Sequence, residues 1–173
     1  MIGNDVIDLS LSRRESDWQR KGFIQKLFTT KEQRLIVNNS NSETIVWLFW
    51  SMKEAAYKIH NRQTKRREFI PQKFECLILT ETTTCVTGIV RFLDMVYYTK
   101  TDISIEFLHT VAVTSLNDLE DIIQIERRGI GKDEHGIPYL LSAQNKHQQA
   151  VSISNHGRFE KVVLIKNKKV PSI

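Results

Sequence analysis

The chain holds only two cysteines, Cys76 and Cys85, and no Cys-x-x-Cys pair. A disulfide scaffold is therefore excluded, and two free thiols in a reducing compartment are expected. The five histidines are scattered without the spacing of a structural zinc site. No run of 18 apolar residues occurs, so no membrane span or membrane partner is expected. The opening residues MIGNDVIDL carry acids where a signal peptide would carry Lys or Arg, which points to the cytoplasm. Repeats, low-complexity tracts and Gly/Ser linkers are missing too, so residues 1–173 read as one domain with length enough for a sizeable core.

What is present is a mixed, basic composition: 40% hydrophobic, 26% charged and a net charge of +5. The charge is uneven. Residues 11–34 hold seven basic side chains, Arg13, Arg14 and Arg20 among them, against three acids. Residues 61–73 and 158–169 are basic as well, and 102–126 acidic. That asymmetry suits an anionic partner, whether nucleic acid, a phosphorylated ligand or an acidic protein, or else a set of solvated faces.

MIGNDVIDLS reads as a short strand. Residues 14–28 place Phe23, Ile24, Leu27 and Phe28 at helical spacing. Thr29 and Glu32 fit a capping box opening a helix that runs to about Asn38. A third helix is expected over about 43–61. Its broad apolar face is Ile45, Leu48, Phe49, Met52, Ala55, Ala56 and Ile59. Glu54 falls on the other side, with Lys58 one turn on and Trp47 and Trp50 flanking it. A solvated face rarely carries two tryptophans, so this side is expected to be covered and to hold a site. After Pro71, β-branched and aromatic runs (KFECLILT, CVTGIVRFL, MVYYTK, ISIEFLHTVAVT) suggest an antiparallel meander, DEHG a turn, and AVSIS with KVVLIK a closing hairpin turning at NHGR. Helices first and strands later make an α+β domain.

Asp5 and Glu54, two carboxylates from distant segments, together with Lys58 suit a magnesium–diphosphate site, because magnesium takes one or two carboxylates and fills its shell with water and phosphate oxygens. A plain i,i+4 Glu54–Lys58 pair is the alternative on spacing alone.

IGND followed by FWSMKEAAYK resembles the signature of the 4′-phosphopantetheinyl transferases. In that family Gly-x-Asp precedes an aromatic residue, a small residue, x and Lys-Glu-Ala/Ser-x-x-Lys by roughly forty residues. Here 44 residues separate Asp5 from Trp50. GIPYLLSAQ and VSISNHGR resemble the family's Gly-x-Pro and Ser-His segments. Their order is that of the short holo-acyl-carrier-protein synthases.

The resemblance implies a 4′-phosphopantetheinyl transferase fold, an antiparallel sheet packed on a long central helix. It also implies transfer of 4′-phosphopantetheine from coenzyme A to an apo carrier-protein serine. By it, Asp5 and Glu54 match the Mg2+ ligands and Lys58 the diphosphate contact. Lys53 is expected at a phosphate or the leaving group, and Glu32 is a candidate base as well as a cap. Asp8 is expected to orient the metal site. Ser154, Asn155 and His156 are expected at coenzyme A, with Asn155 standing where the family has its histidine. Arg13, Arg14 and Arg20 would dock an acidic carrier protein. A homo-oligomer is expected, a trimer first, in which Ser154–His156 meets a neighbour's Asp5 and Glu54; a monomer covered by its own strands is the alternative. A basic nucleic-acid-binding module and a non-catalytic coenzyme A-binding homologue are the competing functions.

Overall fold

The computed structural model describes residues 1–141 and 148–166. Residues 142–144 of the Gly-x-Pro segment and 167–169 of the last basic run lie outside the described residues. β1 (Ile2–Asp8) leads into α1 (Leu9–Glu15), α2 (Phe23–Leu27), α3 (Thr30–Asn38) and α4 (Ser42–Thr64). After a 3-10 turn at Pro71–Lys73 come β2 (Glu75–Glu81), β3 (Cys85–Phe92), β4 (Met95–Ile103) and β5 (Phe107–Val113). A second 3-10 turn, Leu116–Asp121, precedes β6 (Ile122–Gln124), β7 (Ile130–Lys132), β8 (Pro138–Leu141), β9 (Gln148–His156) and β10 (Phe159–Ile165). Among the described residues the strands form two five-stranded sheets, ordered β1-β5-β4-β3-β2 and β6-β10-β9-β8-β7. Every pairing within them is antiparallel.

α4 is long because little in its sequence stops it. Asn41 caps its start, the side chain accepting from Thr44 N–H at 3.3 Å, and the chain leaves it through Lys65 in the left-handed region at φ 59°. All seven residues of the expected apolar face are buried against the first sheet. The larger of these side chains, Ile45, Leu48, Phe49, Met52 and Ile59, each contribute about 1.5–3 kcal/mol relative to exposure. Gly3 sets how closely β1 meets this helix: a Cβ there would lie 2.0 Å from the Ala55 carbonyl oxygen.

Three expectations about elements need correction. The helical pattern over 14–28 is broken, because Asp17 turns the chain by accepting from Gln19 N–H and Gly22, at φ 86°, starts α2 afresh. The run expected over 103–114 is broken: Ile103 still belongs to β4, and the Ser104 hydroxyl accepts from the Glu106 and Phe107 N–H groups and turns the chain into β5. The closing hairpin β9–β10 forms as read, but it is the middle of a separate sheet that also includes β6, β7 and β8. Cys76 and Cys85 are both free thiols. Among the described residues no helix is long and apolar enough to cross a membrane.

Gly3→Ala is expected to destabilise the protein by about 3 kcal/mol, the upper range for overpacking, read as a lower urea midpoint. The obstacle is a main-chain oxygen, so no substitution at residue 55 should restore the loss.

Candidate active site

β1 is at the edge of the first sheet. Its inner edge pairs with β5, and the N–H groups of Asn4, Val6 and Asp8 face away from that ladder. Side chains of β9 accept all three: Ser152 Oγ from Asn4 at 2.9 Å, Ser154 Oγ from Val6 at 2.9 Å and His156 Nδ1 from Asp8 at 2.8 Å. Residues two apart share a face of a strand, so Ser-x-Ser-x-His is the spacing that lets one strand cap another with side chains. These bonds place Ser154 and His156 beside the chain's own Asp5, supplying from within one chain what was expected of a neighbour.

A cavity of about 450 Å3 opens there. Asp5, Glu54, Asn155 and His156 line its polar part, Phe23, Leu27, Trp47 and Trp50 its apolar part, and Arg20 is also in its wall. Trp47 stands edge-on to Phe23, and its indole N–H is buried without a partner. Val6, Ile7, Ser12 and Ser16 complete the lining, and neither serine was legible as a site residue.

Asp5 Oδ1 accepts from Ser154 Oγ at 3.1 Å and lies 3.8 Å from Lys58 Nζ. Its Oδ2 is buried with no hydrogen-bond partner. Burial raises the Asp5 pKa, opposed by Lys58, by the Ser154 and Ser51 hydroxyls and by His156. Burial, and then the Asp5 charge, push Glu54 up to about 7. Two carboxylates held close in a covered place, one with an uncommitted oxygen, fit a hard divalent cation. Among the described residues no trio of His, Cys, Asp and Glu gathers, so the protein would supply two carboxylates and leave the remaining positions to other oxygens. Lys58 is aimed by two carbonyls, Asn4 at 2.6 Å and Ile153 at 3.2 Å. His156 Nδ1 is occupied as an acceptor, so its ring proton sits on Nε2, a donor for an anion in the cavity.

Glu32 and Lys53 are not at this cavity. Both are fully buried and form an ion pair at 2.7 Å. Glu32 also accepts from Thr29 N–H and Cys76 N–H, and Lys53 donates to the Leu27 and Pro71 carbonyls. The capping box is real, and the pair ties α3, α4 and β2 together, away from the cavity at which a base and a cofactor contact were expected. Asp8, expected to orient the metal site, is not in the lining of this cavity: it caps α1 and binds Arg158 through both oxygens, a guanidinium that holds its pKa well below the carboxylate range. Arg13 is engaged by Glu43 at 3.0 Å, while Arg14 is exposed on α1.

The profile of the 4′-phosphopantetheinyl transferase superfamily matches residues 1–113. The chain belongs to that superfamily. Among curated proteins none matches it significantly. The matched span ends with β5, so it contains Asp5, Glu54 and Lys58 but not the β9 residues that cap β1.

Lys53→Met leaves the buried Glu32 carboxylate without its counter-charge, and is expected to cost about 3–5 kcal/mol by urea denaturation. Adding Glu32→Gln should recover part of that. The Glu54 pKa is raised on folding, so the folded protein holds a proton the unfolded chain releases, and this contribution falls as pH rises from about 4.5 to about 7. In metal-free buffer, Glu54→Gln should therefore gain stability over wild type steadily across that window, and a pH-independent difference would contradict the assignment.

Proposed function

We propose that the protein transfers the 4′-phosphopantetheine group of coenzyme A to a serine hydroxyl of an apo acyl or peptidyl carrier protein, in the manner of the short holo-acyl-carrier-protein synthases. The observation that carries this reading is the pair of carboxylates, Asp5 and Glu54, lining a half-aromatic cavity, with an Asp5 oxygen left without a partner and the carbonyl-aimed Lys58 3.8 Å from the other. Superfamily membership supports it.

Asp5 and Glu54 would hold Mg2+, which supplies charge neutralisation on the diphosphate when bound. Lys58 faces the same phosphates as a point charge, and His156 Nε2–H with the Asn155 amide offers neutral donors to their oxygens. The aromatic wall of Phe23, Trp47 and Trp50 suits the uncharged arm. Arg62, whose Nη2 donates to the Pro138 and Val151 carbonyls, lines a second cavity of about 190 Å3 with Lys58.

The serine oxygen forms a bond to the β-phosphorus, and the bond to the oxygen of adenosine 3′,5′-bisphosphate breaks. Glu32 is sealed away from the serine proton, and His156 Nδ1 is already committed. The carboxylates of the cavity left to take that proton, directly or through water, are Asp5 and Glu54, whose proton affinities burial raises. Arg14 and Arg20, on α1 and the turn beyond it, suit an acidic docking helix.

The test is intact-mass measurement of an apo carrier protein panel incubated with the protein, coenzyme A and Mg2+. One added phosphopantetheine group is expected, lost by 100-fold or more, about 2.7 kcal/mol in barrier, in Asp5→Ala or Glu54→Gln. No mass gain on any carrier of the panel would overturn the reading.

A further inference from the structure

We infer that Ser154 is a positioning residue for the Asp5 carboxylate rather than a contact for the nucleotide. The inference rests on the cation reading of the cavity. Ser154 Oγ accepts the Val6 N–H at 2.9 Å and donates to Asp5 Oδ1 at 3.1 Å. A hydroxyl has one proton, and a backbone N–H that occupies its acceptor side leaves that proton directed at the carboxylate. Both atoms are in the interior: Ser154 is 4% exposed and Asp5 9%.

The consequence is a division of labour between the two carboxylate oxygens. Oδ1 is committed to Ser154, with Lys58 at 3.8 Å. Oδ2 has no hydrogen-bond partner and is the oxygen left for a cation. Without the Ser154 hydroxyl, Oδ1 loses its only hydrogen bond from β9, and Lys58 can draw either carboxylate oxygen toward its ammonium. Partners of this kind, which orient a ligating group without touching the metal, typically carry 10–100-fold of affinity.

The strand provides its own comparison. Ser152, two residues earlier, caps the Asn4 N–H at the same 2.9 Å, so its loss costs β1 an equivalent bond while Asp5 keeps its partner. A purely structural role for the β9 hydroxyls predicts that Ser152→Ala and Ser154→Ala behave alike. The positioning role predicts that they part company.

The experiment is titration of Mn2+ into the full chain with saturating coenzyme A, following the free-ion electron paramagnetic resonance signal, with thermal unfolding measured on the same samples. Ser154→Ala should weaken Mn2+ binding about tenfold, Ser152→Ala less than twofold, and Ser154→Thr should bind as wild type. Ser154→Cys, which keeps the volume but donates weakly, serves if the alanine variant fails to fold, and should also weaken binding. Wild-type affinity in both the alanine and cysteine variants, or equal weakening by Ser152→Ala, would overturn the positioning role while leaving the cation site standing. A wild-type chain that binds no Mn2+ would overturn both.

Discussion

An edge strand whose outer N–H groups must be satisfied by something other than another strand is the constraint from which this site follows. β1 carries Asp5 and runs between α4 and the second sheet. A buried, unpaired N–H costs on the order of 1–3 kcal/mol, so three of them along one edge could not be left open. β9 meets the demand with two hydroxyls and an imidazole. In doing so it brings Ser154 to Asp5 and His156 to the cavity, and it sets which ring nitrogen of the histidine carries the proton. The site's polar chemistry is thus a by-product of closing a sheet edge.

The motif Lys-Glu-Ala-Ala-Tyr-Lys on α4 shows how far spacing alone can mislead. Lys53, Glu54 and Lys58 are close in sequence, but a helix turns 100° per residue and separates them. Lys53 points into the core, where Glu32 and two carbonyls use all its hydrogens. Glu54 and Lys58 stay on the cavity side, where Lys58 takes carbonyls from β1 and β9. One motif therefore builds both a bolt and a site. The bolt keeps the helix in place under the cavity, and a charged pair can serve there because every donor and acceptor has a partner.

Much of this was legible in the residues. The apolar face of α4, the Thr29–Glu32 box, the strand character of Ile2–Asp8 and the β9–β10 hairpin follow from periodicity and capping chemistry, which are local. The burial of Lys53 was not legible: its neighbours in the fold, Leu27, Glu32 and Pro71, come from three other segments. Nor were Asn4, Ser152 and Arg158 picked out. Ser152 could have been, since residues 152, 154 and 156 share the two-residue period of a strand face, whereas Arg158 depends on Gly157 bending at φ 54° with Asp8 packed against its Cα. The short strands β6, β7 and β8 have three or four residues each, too few to establish a period.

The bonds from β1 to β9 join residues 148 apart in the chain. Closing so long a loop is entropically costly and, among folding events, slow, so helices and the first meander can form well before the cavity has its far wall. The cavity is consequently a property of the finished molecule and of no fragment of it. A ligand that enters it, touching both β1 and β9, latches the first and last parts of the chain together, and its binding energy is felt as resistance to unfolding by the whole protein.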